Sequence, residues 1–468
     1  MTHDVVVVGG GIAGTIAALR AAELGAKVVV LEKGQGEQYL CNTRYSSGIL
    51  HLDYRDPKTN PAELEAQMTQ SSDGKVNPAL LHALATDGAR LIDWLRSHTI
   101  AFVRFSAWEA YRWCMAPPRK VGPGLDWKGR GPDVMLRRLG KQLTERGGQL
   151  VTGVTVTDLI MRDGRCVGVT GLRDGNREEW SARTVVVADG GFQANAEMFR
   201  RHIGPAFEKI KQRGAATDTG AGIEMAVRAG AATTDMSRFY GHLLHGDCFT
   251  NDKVWPYPEM DALATAGIVV GRDGCRFTDE GEGGVPLANR IARLDDPQSC
   301  TIVFDSAIWE GPGKDALVPT NPYLERGGGT VLKADTLEDL ARQMGVPAAA
   351  FVETVTAYNK AIAENTGTSL KPPRRSDVHP AWKIEKKPFL ACRIVPGITY
   401  TMGGIAIDEH ARVLSTEGSP IPGLFAAGTT TGGIEGFGRT GYIGGLTKSG
   451  IFGLRAGESA SELARTLA

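Results

Sequence analysis

The residues best suited to chemistry stand near the start of the chain. Gly9, Gly11 and Gly14 follow the apolar run Asp4-Val-Val-Val-Val with the spacing Gly-x-Gly-x-x-Gly, and Glu32 follows later. Each has a task in holding a dinucleotide: Gly9 permits a tight turn, Gly11 lets backbone approach a pyrophosphate, and Gly14 lets helix and strand pack closely. Ile12 and Ala13, within this turn, are further cofactor-binding candidates, and the N-terminus of the helix that follows faces the phosphates. The Glu32 carboxylate can accept hydrogen bonds from both hydroxyls of an adenosine ribose, and its charge disfavours a 2′-phosphate.

A complete βαβ unit must position these groups. The apolar run through Val8 reads as a buried strand, residues 15–24 as a small-residue helix, Gly25-Ala26 as its break, and residues 27–31 as a second buried strand ending in Glu32-Lys33. The unit alone does not decide between FAD and NAD. Two later segments bear on that choice. Thr184-Val-Val-Val-Ala188-Asp189-Gly190 is another buried strand ending in small residues, as a strand end beside a nucleotide requires, and Ile421-Pro422-Gly423-Leu424-Phe425-Ala426-Ala427-Gly428 is a third.

Taken in order, these motifs resemble the FAD-binding proteins of the fumarate reductase and succinate dehydrogenase flavoprotein superfamily, most nearly its tricarballylate dehydrogenase-like members. The likeness runs through nearly the whole chain. It implies an α/β fold with an α+β cap, in which a discontinuous Rossmann-like FAD-binding domain carries an inserted substrate-capping domain. It also implies that Cys41-Asn42-Thr43-Arg44-Tyr45-Ser46-Ser47-Gly48 wraps the flavin, with Asn42, Thr43, Ser47 and Gly48 in contact. By the same resemblance Lys33, Val154, Ala188, Gly190, Gly428, Gly445 and Leu446 join Glu32 and the glycines in holding FAD. The nearest candidate for a covalent flavin histidine, His51, lies beyond the wrapping stretch, so non-covalent FAD is expected. Thr217-Asp218-Thr219-Gly220-Ala221-Gly222-Ile223 resembles the family's Thr-Gly-Asp-Gly-Ile turn, and a plain helix N-cap explains it equally well.

Hydride exchange with flavin N5 asks the protein mainly for positioning, but the adjacent carbon must gain or lose a proton. Gly274-Cys275-Arg276-Phe277-Thr278-Asp279-Glu280 resembles the family's Gly-x-Arg-Phe-x-Asn-Glu, downstream of which fumarate reductases place an arginine proton donor; Arg290 and Arg293 follow here, and Arg290 is the candidate. Arg439, in the stretch resembling the family's flavin loop, can hold a carboxylate bidentately. His242, in the place of the family's substrate loop, can bind a carboxylate or carbonyl. Thr399 and Tyr400 replace two histidines of fumarate reductases, which argues against fumarate itself, and the Tyr400 hydroxyl can polarise a carbonyl or act as a base.

The expected domains are 1–235 for the first FAD-binding part, 236–387 for the cap and 388–468 for the second FAD-binding part. Helical patterns run over 78–98, 133–146 and 337–363, and Trp113 and Trp127 stand in a Gly/Pro-rich loop that can line the cavity. Lys plus Arg and Asp plus Glu both total 53, which removes any global pull toward nucleic acid. No stretch is long and apolar enough for a transmembrane segment, and Val5 to Val8 lacks the basic flank of a signal peptide. The seven cysteines show no Cys-x-x-Cys, so the chain is expected to carry no iron–sulfur cluster, c-type haem or other metal, and a cytoplasmic location is expected. Electrons must then be exchanged with an external acceptor or donor: quinone, oxygen or a partner protein. The leading reading is an FAD-dependent dehydrogenase or ene-reductase acting on a small-molecule substrate of the tricarballylate or fumarate kind. A 3-ketosteroid dehydrogenase-like oxidation of a cyclic ketone, using Tyr400 with Tyr257 or Tyr442, is the second reading, and a flavoprotein electron-transfer subunit the third.

Overall fold

The structure is a computed structural model, described for residues 3–120, 122, 124–437 and 441–467. The strand His3–Val8 (β1), the helix Ile12–Glu23 (α1) and the strand Val28–Glu32 (β2) form the predicted βαβ unit. β1 pairs in parallel with β2 in the register Val5↔Val28 to Val8↔Leu31. The valines at positions 5–8 are buried on both faces of the sheet, which accounts for the unbroken apolar run. The helix starts at Ile12, directly after the glycine turn and earlier than the apolar pattern alone indicates.

β1 also pairs in parallel with Asn176–Val187, and that strand with Pro420–Ala426. Three segments distant in sequence therefore end side by side, with Val8, Val187 and Ala426 in register. Gln149–Thr152 extends the sheet beyond β2, and the antiparallel pair Val154–Arg162 and Arg165–Arg173 branches from Asn176–Val187. The C-terminal helix Gly445–Thr466 packs on α1. Close approach requires glycine there, since a Cβ on Gly457 would meet the Ala17 carbonyl oxygen at 2.4 Å.

A second, six-stranded sheet is organised by the long strand Phe389–Thr401, which pairs with Phe239–His245, Cys300–Asp305, Leu332–Ala334 and Lys211–Gln212. Both Lys211–Gln212 and Phe389–Thr401 lie outside the expected cap interval 236–387, yet they belong to its sheet. The helical pattern over 337–363 is two helices, Leu337–Met344 and Ala348–Ala363, because Gly345 turns left-handed (φ +73°) and Pro347 cannot continue the first. The patterns over 78–98 and 133–146 correspond to Pro78–Ser97, capped by the Asn77 side chain, and Gly131–Glu145.

Candidate active site

Where the two sheets meet, the chain encloses one elongated cavity of about 630 Å³. Gly9, Gly11, Ile12, Ala13, Glu32, Lys33, Asn42, Thr43, Ser47, Val154, Ala188, Gly190, Gly428, Gly445 and Leu446 all line it. Gly14 and Gly48 do not. Gly14 packs helix on strand, for a Cβ there would sit 2.0 Å from the Gly9 carbonyl oxygen; Gly48 turns left-handed (φ +77°) against Pro132. Gly9 takes φ +100° with the Ala188 carbonyl oxygen 2.5 Å from where a Cβ would stand, whereas Gly11 has only Thr43 Oγ1 within reach, at 3.4 Å, and leaves room at the helix N-terminus.

The donors and acceptors along this half fit a dinucleotide. Glu32 accepts from Gly10 N–H at 2.8 Å on one carboxylate oxygen and from Gly34 N–H at 2.7 Å on the other, so each oxygen keeps a lone pair for a ribose hydroxyl. The Lys33 ammonium reaches across to the Thr217 carbonyl, and Asn42 ties the wrapping loop to its surroundings by donating to the Thr399 carbonyl at 3.0 Å and accepting from Ala215 N–H at 2.6 Å. Thr217, Asp218 and Thr219 of the turn before the helix Ala221–Arg228 also line the cavity. That helix is capped by Gly220 in a left-handed conformation and not by a side chain. His51 lies outside the lining, buried between the rings of Tyr54 and Tyr442, with Nδ1 accepting from Tyr54 N–H at 3.1 Å.

The other half of the cavity is aromatic. Alternation along Phe239–His245 points Tyr240 and His242 to one side, and pairing with Phe389–Thr401 sets Tyr240 opposite Tyr400, with ring centroids 5.3 Å apart. Tyr240 stacks on Tyr442 at 3.9 Å. His242 sits in a directed chain: Nδ1 lies 2.6 Å from Asp261 Oδ2 and Nε2 2.9 Å from the Tyr240 hydroxyl. The carboxylate assigns the proton to Nδ1, so Nε2 accepts from Tyr240. The other Asp261 oxygen accepts from Leu243 N–H at 2.7 Å, which fixes the carboxylate.

Tyr400 lies against the cavity as expected, but its proton is committed elsewhere. Its hydroxyl donates to Glu435 Oε2 at 2.8 Å. Burial opposes charge on Glu435, but the Lys448 ammonium and the Ile443 and Gly444 amides outweigh it and hold its pKa below the usual range. Burial and this carboxylate together raise the Tyr400 pKa, and the hydroxyl's donation to Glu435 argues against the expected role as a base. Arg290 is also corrected. It stays outside the cavity with its side chain 50% exposed and forms a fork with Glu282 at 2.7 and 2.9 Å, because Gly284–Ala292 is a helix that carries it away from the wall. Arg439 lies outside the described residues. Trp113 and Trp127 do not line the cavity; from their loop Arg119 and Leu125 do.

Tyr240, Asp261, Arg119 and Glu435 were not singled out from the sequence. The spacing of Tyr240 and His242 on a strand was the available signal for the first. His242, Glu259 and Asp261 bring ligand atoms within 4.8 Å of one another, the geometry of a metal site, but the Arg213 guanidinium lies 2.5 Å from Glu259 and already supplies positive charge.

A family model described as FAD binding domain matches residues 4–444. NADH:acrylate oxidoreductase of Vibrio harveyi is 29% identical over 99% of this chain and 50% of that protein, so the chain spans about half the length of this relative. The open conformation of a flavocytochrome c3 fumarate reductase is 26% identical with a TM-score of 0.68, covering 99% of this chain and 78% of that one. A 3-ketosteroid-Δ4-(5α)-dehydrogenase from Rhodococcus jostii RHA1, solved with 4-androstene-3,17-dione, has a TM-score of 0.72 at 24% identity over 98% of this chain and 97% of that one, a likeness of fold. FAD is the cofactor that the cavity's glycines and Glu32 are built to hold. The chain belongs to the FAD binding domain family and, within it, to the fumarate reductase and succinate dehydrogenase flavoprotein superfamily.

Proposed function

We propose that this chain is an FAD-dependent oxidoreductase that interconverts a carbon–carbon single bond and a double bond next to a carbonyl or carboxylate. The observation that carries this reading is the half-buried chain from Asp261 through His242 to Tyr240, which reaches the cavity beyond the FAD-holding half. Bound FAD supplies hydride exchange at N5. The chain's own residues handle the proton. Burial first, then Tyr442, Tyr54 and Glu259, raise the Tyr240 pKa, so its hydroxyl stays protonated at ordinary pH. In the oxidising direction Tyr240 accepts a proton from the substrate carbon as its own proton passes to His242 Nε2, and Asp261 stabilises the imidazolium that forms. In the reducing direction the steps reverse: the imidazolium returns its Nε2 proton to Tyr240 as Tyr240 protonates the substrate carbon.

The FAD contacts are assigned to the lining residues named above, with Gly14 and Gly48 shaping the backbone behind them. A polycarboxylate of the tricarballylate kind has less support, since Arg290 is outside the cavity and His242 is engaged by Asp261 and Tyr240. The tyrosines Tyr240, Tyr257, Tyr400 and Tyr442 support a cyclic ketone as a second reading. Electrons are exchanged with an external partner, whether a quinone, oxygen, a nicotinamide-linked domain or another protein. All seven cysteines are unpaired, which supports a reducing, cytoplasmic setting, and no described helix is long and apolar enough to cross a membrane. The division of the chain is read as two lobes that share the strand Phe389–Thr401.

Anaerobic mixing tests the proposal. The oxidised yellow protein is mixed with saturated acids and ketones, and the reduced protein with their unsaturated counterparts. Loss or return of the visible flavin band with at least one pair is expected. A band that none of them changes would remove the C–C chemistry.

A further inference from the structure

We propose that Arg119 is the carboxylate anchor of this cavity and that the substrate is a monocarboxylate built on a flat ring. This deepens the proposed function and rests on it for the reaction at the ring or its side chain. Arg119 lines the cavity at 8% exposure. Its Nη1 donates to the Tyr45 carbonyl at 2.9 Å and its Nη2 to the Gly124 carbonyl at 3.1 Å, both neutral acceptors, and its buried Nε has no partner. Among the described residues it forms no ion pair. Of the other buried cations, Arg213 is paired by Glu259, Arg44 by Asp133, Arg276 by Glu280 and Lys448 by Glu435, and Arg374, outside the cavity, lies 4.0 Å from Glu280.

A guanidinium taken out of water without a counter-charge is costly, and a bound carboxylate relieves that cost. Its partly free donors suit the planar carboxylate fork. Burial works against the charge of Arg119 and Arg213 adds repulsion, opposed only in part by Tyr257 and Asp126, so its pKa is lowered.

The walls around the guanidinium define the rest of the ligand. The Tyr257 ring lies 5.9 Å from the Arg119 guanidinium carbon, and the stacked Tyr240 and Tyr442 rings, Pro256, Leu125 and Ile49 complete an aromatic and apolar lining. Flat faces of this kind favour a planar ring over a flexible chain. The Arg213 charge is already spent on Glu259, so a second carboxylate on the ligand would meet a carboxylate instead of a cation among the described residues.

The test uses the FAD-loaded protein and needs no turnover. Calorimetric titration with benzoate, its neutral analogue benzamide and the short dicarboxylate succinate should give benzoate the tightest binding, by at least about tenfold over either. Arg119→Gln should abolish the preference for benzoate over benzamide, leave benzamide binding and flavin content unchanged, and Arg119→Lys should restore part of it. Succinate binding as well as benzoate, or unchanged benzoate binding by Arg119→Gln, would overturn the proposal. If Arg119→Gln does not fold, the wild-type comparison tests the ligand class and Arg119→Lys, which keeps the charge but loses the fork, tests the anchor by a weakened preference for benzoate over benzamide. Arg119-dependent benzoate binding without turnover of any acid or ketone would uphold the anchor while removing the proposed chemistry; turnover with benzoate binding indifferent to Arg119 would do the reverse.

Discussion

Replacing Tyr240 with phenylalanine removes one oxygen atom from the proton path and little else. The ring keeps its stack on Tyr442 at 3.9 Å and its contact with Tyr400 at 5.3 Å, so the wall should hold its shape. The hydroxyl lost is the member of the Asp261–His242–Tyr240 chain that faces the cavity, and a positioned acid or base contributes about 10²–10⁴ in rate, or roughly 3–5 kcal/mol. Asp261→Asn should cost less. It keeps the shape but exchanges a charge-assisted bond of about 1.5–3 kcal/mol for a neutral one of about 0.5–1.5, a difference of about 1–1.5 kcal/mol or about five- to 13-fold. The assay is anaerobic single turnover followed in the flavin band, with the substrate's binding constant measured separately. The expected pattern is a large fall in the chemical step for Tyr240→Phe, a smaller one for Asp261→Asn, and binding changed by no more than about threefold in either, as for groups that act on the transition state. If both variants turn over within about threefold of the parent, the proton travels by another route and the chain through His242 is only structural.

Three further outcomes follow from the same geometry. Gly14→Ala places a methyl 2.0 Å from the Gly9 carbonyl oxygen, and overpacking of about 1–3 kcal/mol should weaken FAD retention by up to roughly a hundredfold, read as the flavin-to-protein absorbance ratio after dialysis. Glu435→Gln leaves the Lys448 ammonium buried without its counter-charge and should destabilise the fold by about 3–5 kcal/mol in urea unfolding, whereas a loss below about 1 kcal/mol would show that the pair is dispensable. Burial, only partly opposed by Glu435, lowers the His51 pKa from 6.5 to about 4. The unfolded chain therefore takes up a proton at this site between those values while the folded chain does not. Stability from this group is complete above pH 6.5 and falls as pH drops through that window, by roughly 3 kcal/mol at its lower end. His51→Asn should flatten the wild-type curve by about that amount; superimposable pH curves for the two proteins would refute it.

The nucleotide-holding half was legible because its chemistry is local. Gly9, Gly11, Gly14 and Glu32 lie in one short βαβ unit, where spacing along the chain becomes spacing in space. The proton path was only half legible. His242 stood out by type, but the role proposed for it depends on Asp261, which reaches it from a different element, and on Tyr240, which strand alternation places on the same side. Tyr400 lines the cavity, but nothing near it in sequence announces the Glu435–Lys448 pair to which its hydroxyl donates. Arg290 misled for a similar reason: counting from a motif does not reveal which side of the helix Gly284–Ala292 faces the cavity, or that Glu282 stands ready to pair with it. The boundary at 388 cut through the second sheet because Phe389–Thr401 is an apolar strand of ordinary pattern, and only its partners identify its sheet.

The central claim is that the flavin exchanges electrons with a carbon–carbon bond of a bound small molecule. Its most direct test is a single anaerobic turnover with product analysis by mass spectrometry. The account predicts a product that differs from its substrate by two hydrogens, formed in one equivalent for each flavin reduced or reoxidised. A flavin that cycles fully with a partner protein or a chemical donor, yet leaves every acid and ketone in the panel unchanged in mass, would contradict it and identify the chain as an electron carrier.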